Sequence, residues 1–186
     1  MTGTPGTGKT TVSRLLAEAV HAKYVDPKTL LTRSGIDYTY DPSGKTRIVS
    51  IRKLQNALNE LAGRTDRGLV IDSHITFRMI SLPRLDRVIV LRCNPKVLQQ
   101  RLKSKRWSKR KISENLLAEI LDICLWDAVH SYGWRRVAEI DTSNMRPCRV
   151  VQLAIRALKS KRTQKQPRVH WLPLLKRQGS LWRYLA

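Results

Sequence analysis

Acid is what this 186-residue chain has least of. Fourteen Asp and Glu stand against 36 Lys and Arg, a formal charge of +22 at pH 7, with a pI near 10.8. Such a surplus draws anionic polymers to the surface and argues against an ordinary freely diffusing metabolic enzyme, so a polyanion is the expected partner. Cysteine is also scarce. Cys93, Cys124 and Cys148 are an odd number without C-x-x-C spacing, which speaks against a disulfide framework or a zinc ribbon and points to a reducing, cytoplasmic compartment. Long apolar runs are missing too: none approaches the roughly 20 residues that cross a bilayer, and the first residues lack the apolar core of a secretory signal. No membrane association is expected. No internal repeat is present. At 41% apolar residues the chain still has enough to bury one core, and its length fits one compact domain with small insertions.

The apolar pattern alternates between helical and strand spacing, as a parallel α/β sheet requires. Val12, Leu15, Leu16, Ala19 and Val20 recur at helical intervals and predict a helix over residues 10–21. Residues 51–62 carry Leu54, Leu58 and Leu61 on one face. Gly68 then breaks into the apolar run Leu69-Val70-Ile71, which ends at Asp72. A second buried run, Val88 to Leu91, is followed by Pro95, well placed to open a helix. Residues 115–129 read as one helix, 137–141 as a short strand and 147–159 as a last helix. Between them, six of the nine residues from Lys103 to Lys111 are Lys or Arg. That segment faces solvent or phosphate and predicts a mobile loop.

The strongest motif lies at the start. Gly3, Gly8, Lys9 and Thr10 fit G-x-x-x-x-G-K-[ST], with Gly6 as a third glycine. Glycines let successive backbone N–H groups turn inward around phosphate oxygens, and the helix that follows offers its positive end to the same anion. In such a loop Lys9 reaches the β- and γ-phosphates of ATP, Thr10 gives a hydroxyl to Mg²⁺ and Thr11 bonds the α-phosphate. Only Met1 and Thr2 precede Gly3, so the buried strand expected before the loop is missing, short by about six residues. Asp72, at the end of an apolar strand, is placed to deliver a carboxylate to the Mg²⁺ shell. His74 points to the same side of an extended chain as Asp72, where it would orient a water or an acceptor. A capping or core histidine is the alternative.

These residues resemble the adenylate kinase isoenzyme 6 family in its archaeal version, small P-loop kinases also linked to ribosome assembly. The resemblance rests on GTPGTGKTT at 3–11, IDSH at 71–74, VLR at 90–92 and RWSKRKISEN at 106–115 followed by Glu119. It covers about residues 3–158. It implies an α/β P-loop NTPase three-layer fold with a parallel sheet, an NMP-binding insertion at about 26–49 and a lid at about 104–114. It implies that Gly6, Gly8, Lys9, Thr10 and Thr11 bind ATP with Mg²⁺ on Thr10 and Asp72, and that AMP or another nucleoside monophosphate accepts the phosphate. Catalysis would fall to Lys9, Asp72, His74 and Arg101. Where the family has arginine, glycine and an aromatic opening the lid, this chain has Lys105, Arg106 and Trp107. A lysine point charge there replaces a planar fork, so Lys105 is the expected nucleotide contact while stacking or bidentate phosphate binding passes to Arg106 or is weakened. Arg101, one helical turn earlier, faces the same way as Lys105, to neutralise transferred charge or merely to solvate the helix. Asp37, Tyr38, Tyr40 and Asp41 form a polar, aromatic loop in the acceptor region.

The segment 159–186 is a basic extension outside that resemblance. From Thr142 onward there is no acid and there are eleven Lys or Arg, half of the net charge. Cations interleaved with Trp171, Trp182 and Tyr184 suit ribosomal RNA, with charge on the backbone and rings on unpaired bases. The alternative is that Val169, Trp171, Leu172, Leu174 and Leu175 fold back on the domain. On the first view, deletion after Lys159 weakens RNA binding and leaves ATP turnover largely intact. The family resemblance implies a small-subunit platform ribosomal protein as a further partner. Three functions stay open: an AMP-directed kinase with ATPase activity, an ATP-switched assembly factor that binds RNA or ribosomal protein, and a kinase for another small molecule.

Overall fold

A computed structural model describes residues 1–33, 38–40, 47–49, 51–73, 85–160 and 165–184. Five short strands run parallel: β1 (Thr2–Gly3), β2 (Lys23–Val25), β5 (Leu69–Ile71), β6 (Val88–Arg92) and β7 (Val137–Asp141). β6 lies between β1 and β7, and β2 pairs with β5 in register Lys23↔Leu69 to Val25↔Ile71. Met1 ties the two groups together. Its amino group donates to Ile71 O at 2.8 Å, and Ser73 N donates to Met1 O at 3.2 Å. The strand expected to be missing is therefore present as a two-residue stub in its proper place. β1 is held on both sides, by β6 and, through Met1, by Ile71 and Ser73.

Side-chain alternation along β6 explains the layers. Ile89 and Leu91 point to a core shared with Val12, Leu16 and Ala17 of α1 (Lys9–Ala19) and Val150, Val151 and Ala154 of α7 (Pro147–Lys159). Val88 and Val90 point the other way, onto Leu125, Ala128 and Tyr132 of α6 (Ile123–Tyr132). All five β6 residues are buried, as an inner parallel strand covered on both faces demands. The result is the three-layer α/β arrangement expected.

A third cluster joins α4 (Pro95–Ser104) and α5 (Lys109–Ile120) to the C-terminal segment, where Leu98, Leu102, Ile112 and Leu116 meet Leu175 and Tyr184. Leu175 lies in α8 (Trp171–Arg177), and Tyr184 ends a 3₁₀ turn at Leu181–Tyr184. Of the two readings of this segment, folding back on the domain is the one seen. A fourth cluster packs Leu54 and Leu58 of α3 (Ile51–Gly63) against Val25. Before α3, α2 (Pro27–Arg33) leads to the antiparallel pair β3 (Tyr38–Tyr40) and β4 (Arg47–Val49). Asp37 and Asp41, expected beside the acceptor, lie outside the described residues.

Two expectations change. Residues 115–129 are not one helix: α5 ends at Ile120, and Asp122 takes a positive φ of 57° before α6 begins. The basic run 103–111 is no long loop either. It spans the end of α4, the four-residue link 105–108 and the start of α5, whose N-terminus Ser108 caps by accepting Lys111 N at 3.3 Å. Ile112, buried on the inner face, anchors that first turn.

Gly3 has φ +135°, and a Cβ there would sit 2.3 Å from Leu91 O. No side chain fits without prising β1 off β6. Gly3→Ala is therefore expected to cost about 3 kcal/mol or more, read as a lower midpoint in urea denaturation. An unchanged midpoint would show that β1 does not pair as described.

Candidate active site

The phosphate loop spans the turn between β1 and α1. Gly6 and Gly8 hold φ +95° and +96°, and a Cβ on Gly6 would also lie 2.8 Å from Leu98 Cδ1. These left-handed residues turn the N–H groups ahead of α1 toward one point, the nest that receives an anion. Thr4 is the loop's internal post. Its carbonyl accepts from Thr7 N at 3.2 Å and from Thr7 Oγ1 at 2.8 Å.

Lys9 is folded onto this frame, with Nζ donating to Gly3 O at 2.7 Å and Thr4 O at 3.2 Å. Burial pushes its pKa below the ordinary lysine value; the positive charge of Lys105 acts in the same direction, while Cys124, Asp72 and Glu119 oppose it. Lys105 also faces the Trp107 ring at 5.9 Å, and Lys111 covers that ring at 4.1 Å. Thr10 Oγ1 donates to Asp72 Oδ2 at 2.6 Å. The two residues expected to share Mg²⁺, 62 positions apart, thus touch. Tyr24 OH donates to the same carboxylate oxygen at 3.3 Å, and Arg14 lies over the Tyr24 ring at 5.2 Å.

A hydroxyl and a carboxylate are hard oxygen donors of the kind Mg²⁺ takes alongside phosphate and water. No group of three His, Cys, Asp or Glu side chains forms a metal cage among the described residues.

Arg101 is close by but occupied. Its guanidinium donates to Thr142 O at 3.0 Å and Ser143 O at 3.3 Å, holding the β7–α7 turn. Thr142 Oγ1 in turn lies 2.9 Å from Thr7 O, to which it donates. Arg101 therefore braces the far side of the phosphate loop, a position neither expectation for it described. Thr11 is exposed on α1. His74 lies outside the described residues.

Beneath the loop is an assembly that the motif reading missed. Arg92, 1% exposed, donates through Nε to Glu119 Oε1 at 2.8 Å and through Nη1 to Glu139 Oε1 at 2.6 Å, and pairs with Asp122 through Nη2. Burial alone would lower the arginine pKa; the three carboxylates outweigh it and hold it above its ordinary value. Burial likewise pushes the neighbouring Cys93 thiol up to about 11, which keeps it an unreactive thiol. One signal was available in the sequence. Acids are rare, yet Glu119 stands between Leu116 and Ile120, and Glu139 between Val137 and Ile140, where an apolar face demands an explanation.

A glycine nest at the strand ends of a parallel sheet, with lysine, threonine and aspartate converging on it, defines a P-loop nucleotide-binding protein. A family profile described as an AAA domain matches residues 1–122. The chain is 33% identical over 165 residues to a Methanocaldococcus jannaschii protein named "Putative adenylate kinase", covering 89% of this chain and 88% of that one. Proteins of the same name from Pyrococcus furiosus and Natronomonas pharaonis are 36% identical over 161 residues (86% and 83% covered) and 35% identical over 152 residues (82% and 84% covered). The chain belongs to this archaeal family of the adenylate kinase isoenzyme 6 type, as its motifs suggested. No helix among the described residues is long and apolar enough to cross a membrane.

A buried base with a lowered pKa costs stability while it is charged. The unfolded chain keeps that proton longer, so the cost shrinks as pH rises toward 10.5, the ordinary lysine value. Lys9→Met should then leave the ligand-free protein no less stable at neutral pH, and its advantage over the parent should fade under alkaline conditions. It should also abolish the Tm rise given by MgATP. Thermal denaturation at neutral and alkaline pH, with and without MgATP, measures both; a variant still stabilised by the nucleotide would contradict the role of Lys9.

Proposed function

We propose that the chain transfers the γ-phosphoryl group of ATP to AMP, forming two ADP, and hydrolyses ATP when water reaches the site instead. The observation that carries this reading is the contact of Thr10 with Asp72 beside Lys9. Phosphoryl transfer asks little covalent chemistry of a protein; it asks for alignment and for charge on the equatorial oxygens. The N–H groups of the loop through Gly6 and Gly8 cradle the β-phosphate, and Thr11 bonds the α-phosphate. Lys9 leaves the carbonyls of Gly3 and Thr4 for the β- and γ-oxygens, exchanging two neutral acceptors for charged ones. Thr10 and Asp72 would hold Mg²⁺, directly or through water, and the bound ion would supply charge neutralisation. Lys105, whose charge already reaches Lys9, is the second cation, and closing the 105–108 link over the nucleotide excludes competing water. Arg101 contributes by holding the β7–α7 turn against Thr7. His74 is assigned to orienting the attacking oxygen, the acceptor lying toward the α2–β4 region.

Measured by ADP release, turnover with ATP alone should be slow and should rise on adding AMP. Asp72→Asn should lower both by at least about a hundredfold by removing the charge on the metal shell. AMP-independent turnover at the full rate would instead make water the physiological acceptor; no turnover in either assay would favour the ATP-switched binding reading.

A second activity, in small-subunit or ribosomal RNA maturation, is favoured by one surface. Trp182 is 75% exposed on the 3₁₀ turn packed against α5, with Arg183 next to it and Lys109 and Lys111 at the exposed start of that helix. Charge there suits an RNA backbone and the indole an unpaired base. A platform ribosomal protein is the accompanying partner this reading names. Trp182→Ala should weaken single-stranded RNA binding about five- to tenfold without changing its salt slope, since stacking releases no counterions. Fluorescence anisotropy across salt concentrations tests this, and unaltered affinity removes the indole from the interface.

A further inference from the structure

The buried cluster carries one cation against three carboxylates, Glu119, Asp122 and Glu139. The excess negative charge needs N–H and O–H donors, and the C-terminal segment supplies several of them. Arg168 N and Val169 N donate to Glu139 Oε2 at 2.6 and 3.3 Å, and Trp171 Nε1 donates to Glu119 Oε1 at 3.1 Å. Cys93 N adds a bond to the same oxygen at 3.0 Å. The other oxygen of Glu119 accepts Thr4 Oγ1 at 2.5 Å. Thr4 is also the residue whose carbonyl holds Thr7 and Lys9. A continuous chain of hydrogen bonds therefore runs from the indole of Trp171 through one carboxylate, 1% exposed, to the post of the phosphate loop.

We propose that Glu119 and Trp171 are positioning residues for the nucleotide site, so that the C-terminal segment is a working part of the phosphate loop. This rests on the reading of that loop as the ATP site. With the indole in place, Glu119 is fixed between Arg92 and Thr4, and the loop is held ready for phosphate without reorganising on binding. Losing the indole N–H leaves the carboxylate short of a donor in a buried setting, where the deficit is felt most. Glu119 then draws more strongly on its remaining donors, Thr4 among them, and the loop shifts from its receptive geometry. On this proposal deletion after Lys159 should impair ATP turnover, where the sequence alone led to the expectation that turnover stays largely intact.

The test is a double-mutant cycle on the full chain, with MgATP affinity read by calorimetry and Tm recorded alongside. Trp171→Phe keeps the ring and removes the donor; Thr4→Val keeps the shape and removes the hydroxyl. Each should raise the MgATP Kd by about three- to tenfold. In the Thr4→Val background, adding Trp171→Phe should change Kd less than about twofold, because the link has already been cut. Val88→Ala, at the start of β6 and so at the opposite end of the strand from the phosphate loop, should lower Tm with Kd unchanged, separating loop positioning from general loss of stability. Independent, multiplicative effects of the two variants overturn the proposal, as does a Trp171→Phe protein that binds like the parent. If Trp171→Phe does not fold, Thr4→Val alone decides: a parental Kd overturns the link. A parent protein that fails to bind MgATP overturns the reading of the loop instead, a result distinct from either.

Discussion

The carboxylate of Glu119 is the constraint on which the rest of this structure depends. Buried charge is tolerated only where donors surround it, and the four donors here come from three parts of the chain: Thr4 before α1, Arg92 and Cys93 at the end of β6, and Trp171 in α8. Satisfying one side chain therefore fixes where the phosphate loop, the central strand and the C-terminal segment meet. Glu139 repeats the logic on β7 with Arg92, Arg168 and Val169. A chain with few acids places three of them around a single arginine.

The same constraint gives the loop a firm base and an open mouth. On the protein side Thr4, Thr7, Thr142 and Arg101 are linked through backbone carbonyls. On the solvent side Thr10 is exposed, and Lys9 rests on neutral backbone acceptors. Rigid support beneath and exchangeable contacts above suit a site that binds phosphate by alignment rather than by a nucleophile. The cations of the 105–108 link lie at the rim, with Lys105 and Lys111 on the face of Trp107.

Local pattern carried much of this fold. Helical spacing marked α1, α3 and α7, apolar runs marked β5 and β6, and Pro95 marked the start of α4, because each depends on near neighbours in the chain. The nucleotide site was legible for the same reason: glycine, lysine and threonine act within a few residues of each other, and Asp72 closes an apolar strand. What escaped was long-range. The break between α5 and α6 comes from Asp122 turning toward Arg92, 30 positions away, and no local signal in a Leu- and Ile-rich stretch announces it. The basic run 103–111 looked like a loop because charge was weighed above the buried Ile112. The C-terminal segment looked separate because its cations are conspicuous while its contribution to the core, Trp171, Leu175 and Tyr184, is spread thinly among them. Arg101 was legible as a cation near the site, but not as a brace whose partners are backbone carbonyls.

On the proposed reading the glycine nest receives the phosphates of a magnesium nucleotide while resting on the Glu119 assembly. Amide NMR during titration with MgADP addresses it most directly. The resonances of Gly6, Gly8, Lys9 and Thr10 should shift together and saturably, accompanied by Cys93 N–H and the Trp171 indole N–H on the far side of the carboxylate. Saturable shifts confined to other surfaces, with the nest unmoved, would contradict it.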